Sequence, residues 1–123
     1  MITKFAEGQV WTYATRPGES DSRITIVRLD EDAEYGNIIH IYISDIEIAN
    51  PDAPGGKTTY IAHMPYVEQA LEECVAGLER DSVELPEFQE GYRLWREAFQ
   101  NGEAGVFTVP VCQALDFVQA TIS

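Results

Sequence analysis

The sequence predicts an α+β domain: a four- or five-stranded antiparallel sheet, open or curled into a barrel-like form, followed by three helices. Two observations carry this reading. Apolar residues alternate with period two in the first half of the chain and recur at helical spacing in the second. The punctuation changes with them. Pro17-Gly18, Gly36-Asn37 and the run Asn50-Pro51-Asp52-Ala53-Pro54-Gly55-Gly56 read as turns and loops, whereas Pro65, Pro86 and Pro110 stand where helices begin. Strands first and helices afterwards is the pattern of helices laid on one face or one end of an antiparallel sheet.

The first strand is Gln9 to Arg16, rich in aromatic and β-branched residues. Arg23 to Leu29 alternates and meets the charged connection Asp30-Glu31-Asp32-Ala33-Glu34. The longest strand is read from Ile38 to Ile48. It places Ile39, Ile41 and Ile43 on one face and Ile38, His40, Tyr42 and Ser44 on the other. Thr58 to Met64 follows as a fourth strand.

Val67, Ala70, Leu71, Cys74, Val75 and Leu78 then recur at helical spacing, with Pro65 in the first turn and Glu68, Glu72, Glu73 and Glu79 on the wet side. A second helix runs from Pro86 to Gln100. Phe88, Tyr92, Trp95 and Phe99 form its aromatic stripe, and Asn101-Gly102 ends it. Gly105 to Val109 reads as a short strand or extended link. Pro110 opens the last helix, whose inner face is Val111, Ala114, Leu115, Val118 and Ile122. With no repeat, low-complexity tract or linker, residues 1–123 read as a single domain.

A chain of 13.8 kDa with 45% hydrophobic residues can build one core. Its apolar runs fall far short of the roughly 20 residues of a membrane span, and its N-terminus lacks the apolar core of a secretory signal. The expectation is a cytoplasmic protein. Cys74 and Cys112 sit on apolar helix faces as small hydrophobes, and a disulfide between them is left open.

Charge is the strongest compositional signal: 21 acidic against 8 basic residues give a formal charge of −13. Such a surface repels nucleic acid and anionic membranes and attracts basic proteins and cations. Ten of the 21 carboxylates precede Glu68, so the charge is spread along the chain rather than held in one tract. Oligomeric state is not legible.

Motifs for catalysis are few. No serine lies in a nucleophile elbow. Gly55-Gly56-Lys57-Thr58 lacks the upstream glycine of a phosphate loop and precedes a strand. No cofactor is expected.

His40 and His63 are the two histidines. A register that sets Ile39, Ile41 and Ile43 beside Tyr60, Ala62 and Met64 puts both histidines and Tyr42 on the opposite face. There they can share a metal, with a third ligand from Asp45, Asp52 or a more distant carboxylate, or act as acid and base. Arg16 and Arg23 flank one turn. Local pairing with Glu19 and Asp21 is the first expectation, and a small-anion site with Trp11 and Tyr13 is the second.

The strings GQVWTYATRPGE, GNIIHIYISDIEI, NPDAPGG and HMP together resemble a group of small bacterial proteins. The resemblance implies a bacterial cytosolic origin and carries over no functional residue.

The leading functional reading is a small acidic, non-catalytic protein-binding protein, for instance an immunity-type inhibitor of a basic toxin. Asp30, Glu31, Asp32, Glu34, Glu68, Glu72 and Glu73 would meet the basic partner, with Arg16 and Trp11 as further binding candidates. The alternatives are a small-ligand or metal-dependent enzyme on the His40/His63 face and a structural or self-associating domain.

Overall fold

The strands are β1 (Val10–Tyr13), β2 (Arg23–Asp32), β3 (Gly36–Ser44), β4 (Ile48–Ala49), β5 (Lys57–Thr58), β6 (Ile61–Val67) and β7 (Val75–Arg80); the helices are α1 (Glu68–Cys74), α2 (Gln89–Gln100) and α3 (Val111–Ile122). These come from a computed structural model that describes residues 3–122. The α+β class holds. Five strands make one antiparallel sheet in the order β6-β3-β2-β1-β7, with β4 and β5 pairing separately. The sheet is open, with β6 and β7 at its edges, and does not close into a barrel.

The core forms on the face bearing Ile39, Ile41 and Ile43. They pack with Ile24 and Ile26 of β2, Met64 and Tyr66 of β6, Ala70, Leu71 and Cys74 of α1, and Val111, Ala114 and Leu115 of α3. Each buried isoleucine contributes about 1.5–3 kcal/mol. Ile122 was also assigned to the inner face of α3; its side chain lies outside the described residues. Cys74 is buried, Cys112 is half-buried, and both are free thiols.

Contrary to the expectation of helices on one face or one end of the sheet, the helices lie on both faces. Tyr92 and Trp95 of α2 lie against His40, which alternates with the core isoleucines and so points to the opposite side of the sheet. The result is three layers, α1 and α3, sheet, α2.

Several element boundaries move, each for a reason in the backbone. The strand read as Ile38 to Ile48 stops at Ser44, because Asp45 turns into a left-handed conformation (φ 54°) and Ile48 starts a new pair with Thr58. The fourth strand is displaced to Ile61–Val67. It absorbs Pro65, read as a helix start; proline is tolerated there because β6 is an edge strand. The helical pattern read through Leu78 ends at Cys74, and Val75 is extended. From there the chain pairs with β1, whose outer edge would otherwise be bare. Tertiary pairing overrides the local period.

Two bulges set the faces. Ile26 pairs with Ile41 but Arg28 with His40, so Val27 is an extra residue in β2. Before it, even-numbered residues face the core; after it, Leu29 does, and Arg28 and Asp30 turn to the α2 side. In β6, Met64 pairs with Ile41 but Ile61 with Ile43. Tyr60, expected beside the core isoleucines, is therefore exposed and stacks on Tyr42, with ring centroids 5.6 Å apart.

Candidate functional site

The two histidines meet beneath α2. His40 is 0% exposed, between β2 and β6 in the middle of the sheet, and His63 is half-buried on β6. His40 Nδ1 lies 2.8 Å from His63 Nε2, and His40 Nε2 lies 2.9 Å from Asp30 Oδ2. The Tyr92 hydroxyl donates to the same Asp30 oxygen at 2.8 Å, and Arg28 Nε donates to Oδ1 at 3.2 Å. The Arg28 guanidinium also lies 4.6 Å from the centroid of the Tyr92 ring. Trp95 closes the cluster edge-on to His40 at 4.9 Å.

The proton positions follow from the chemistry of the chain's end. Burial works against the Asp30 charge, yet the Tyr92 hydroxyl, His40 and Arg28 together hold its carboxyl below the ordinary range. An ionised carboxylate only accepts, so His40 Nε2 carries a proton and Nδ1 accepts one from His63 Nε2. His63 Nδ1 is left with the free lone pair. Burial pushes both imidazoles down to about 4, with the neighbouring His63 adding to the effect at His40 and Asp30 opposing it at both. At neutral pH both rings are uncharged.

The register argument thus placed His40 and His63 together correctly, but it missed Asp30, Arg28, Tyr92 and Trp95. The sequence reads Asp30 as the start of a charged connection, whereas it lies within β2 and turns toward His40. A signal for it existed: the apolar phase runs Ile24, Ile26 and then Leu29, which implies one inserted residue and a change of face. As metal ligands, His40 offers no free nitrogen while both bonds stand. Among the described residues no group of three or more His, Cys, Asp or Glu comes together to hold a metal ion.

Helix α2 fits over this cluster at Gly91. A Cβ built there would stand 3.0 Å from His63 Cβ, tighter than packed carbons accept. Gly91→Val is expected to destabilise the protein by about 1–2 kcal/mol through overpacking, read as a lower midpoint in urea unfolding. An unchanged midpoint would show that the helix is not seated on His63. The helix stops where Gly102 adopts φ 74°, with Gly102 N–H donating to Phe99 O at 3.1 Å and Glu103 N–H to Ala98 O at 2.8 Å.

The other candidates are dispersed. Arg16, 13% exposed, is held by Glu19 through Nε (2.9 Å) and Nη2 (2.6 Å), by the Glu47 carbonyl, and by Asp116. Arg23 pairs with Glu79 at 2.9 Å. Trp11 is buried against Phe5 and donates its indole N–H to Gln9 Oε1 at 3.0 Å. The local pairing expected for Arg16 is what forms, and Trp11 does not join it.

Of the acidic residues, Asp32 accepts the Glu34 and Tyr35 amides of its own turn. Glu68 accepts the Asn37 side-chain amide at 3.0 Å. Glu31, Glu34, Glu72 and Glu73 are exposed. No helix among the described residues is long and apolar enough to cross a membrane.

No family model, no curated protein and no solved structure matches the chain.

Proposed function

We propose that the protein is a non-catalytic protein-binding domain that docks a basic protein partner, for instance as an immunity-type inhibitor of a basic toxin. The observation that supports this is the hydrogen bond from Asn37 to Glu68. Together with the pairing of Ile38 and Val67, it joins the end of the β2–β3 hairpin to the start of α1. Two acidic groups distant in sequence, Glu31, Asp32 and Glu34 on one side and Glu68, Glu72 and Glu73 on the other, thereby share one corner of the molecule.

The ion pairs of Arg16, Arg23, Arg28, Lys57 and Arg93 go to other carboxylates: Glu19, Asp116, Glu79, Asp30, Glu47, Glu90 and Glu97. Asp32, Glu34, Glu68, Glu72 and Glu73 take none of those pairs, so those five cations do not cancel the field of these carboxylates. Exposed carboxylates of one sign accelerate encounter with a basic surface and discriminate against acidic ones. The buried histidine chain, by contrast, serves the docking of α2.

The test is affinity capture from the cell that makes the protein, followed by association kinetics with the captured protein. The triple variant Glu34→Lys, Glu72→Lys, Glu73→Lys is expected to slow association by about tenfold or more and to flatten its salt dependence. A partner whose association rate ignores both the reversal and added salt would refute this reading.

A further inference from the structure

We propose that α2 is an acid-released cover: protonation of the His40–His63 pair lifts the helix from the sheet and bares Tyr92, Trp95 and Phe99, while the other two layers stay folded.

The geometry separates α2 from the rest of the fold. No residue of Gln89–Gln100 is fully buried, and none belongs to the core cluster on the far face of the sheet. Its attachment centres on the histidines. Tyr92 bonds Asp30, Tyr92 and Trp95 lie against both imidazoles, and Gly91 rests on His63. Outside that centre, Phe99 lies against Tyr35 at 6.1 Å, and the Trp95 indole N–H donates to the Gly105 carbonyl at 2.8 Å, a bond to the link that follows the helix itself.

Proton uptake disrupts this attachment in two steps. The first proton enters at His63 Nδ1 and leaves the bond between the rings intact. The second must enter at His40 Nδ1, where it sets one N–H against another across 2.8 Å. That bond cannot survive, and the second imidazolium needs water that only departure of α2 admits.

The groups facing the pair do not rescue it. Asp30 of β2 favours the charged form of both rings but is outweighed by their burial, Arg28 of β2 repels a new positive charge, Arg96 of α2 lies within range of Tyr92, and Tyr92 itself is neutral. Both histidines sit below their ordinary 6.5 in the covered state. The released state therefore binds more protons, and the cover weakens as pH falls from about 6.5 toward about 4. Asp30, also held low, adds to the loss further down. The Arg16–Glu19 pair does not fail in the same window, since the Glu19 carboxyl is likewise held below its ordinary range.

The test is hydrogen exchange on the full chain from pH 7.5 to 4, each amide referred to its intrinsic rate at that pH. Protection of the α2 amides is expected to fall by about tenfold per pH unit for each proton taken up, while the β2–β3 ladder keeps its protection. His63→Gln should reduce the steepness of the α2 response, and its folding is checked by the same ladder at pH 7.5. Parallel loss in sheet and helix, no loss in α2, or a full-strength response in His63→Gln would each overturn the proposal.

Discussion

Asp30→Ala is expected to lower the stability of the protein by about 3 kcal/mol, read as a shift in the midpoint of urea unfolding at pH 7. The carboxylate accepts from His40, Tyr92 and Arg28 at once, and only Arg28 is on the exposed side of the cluster. Alanine leaves the His40 Nε2–H in a site with no access to water, and each buried donor without a partner costs about 1–3 kcal/mol. Asp30→Asn should recover about half of the loss, because the amide oxygen still accepts one bond while its NH₂ faces Arg28. If alanine and asparagine are both within about 0.5 kcal/mol of the native protein, the chain from Asp30 to His63 is not what holds α2.

A loss of about 3–4 kcal/mol is expected for Glu19→Ala, at a site remote from the histidines. Glu19 is 5% exposed and takes two bonds from Arg16 and one, at 2.8 Å, from the Glu47 amide. Removing it leaves a guanidinium that is largely shielded, with only the Glu47 carbonyl and the exposed Asp116 as partners. Arg16 ties the turn after β1 both to the segment before β4 and to α3, so all three loosen together. Thermal unfolding should shift down by on the order of 10 °C. A shift within error would mean that Arg16 finds water as good a partner as Glu19. Arg16→Lys should fall between, since an ammonium cannot reproduce the two-pronged contact.

Much of the sheet was legible because period two is a strong signal wherever one face is oily. Ile39, Ile41 and Ile43 declared the core, and His40 followed on the other side by parity alone. Parity fails at inserted residues. It misplaced Tyr60 because β6 carries one, and it left Asp30 in a charged connection because β2 carries another.

The aromatic stripe of α2 was visible in the sequence, yet nothing in its spacing names the surface it covers. That surface is a pair of histidines 23 residues apart, one on β3 and one on β6. The overrun of α1 has a different origin: Val75 and Leu78 fit a helix locally, and only the unpaired edge of β1, distant in sequence, calls them into a strand.

Val27 has a consequence for how the chain finds its alignment. Because the phase of β2 reverses there, the same strand supplies Ile24 and Ile26 to one interior and Asp30 to the other, with Arg28 at the exposed rim of the second. A slip of β2 by one position would drive a guanidinium and a carboxylate into hydrocarbon and strand two isoleucines beneath α2. Neither interior could compensate the other's error. A single inserted residue thus acts as a checksum on the alignment of the central strands, because both layers must agree before either can close.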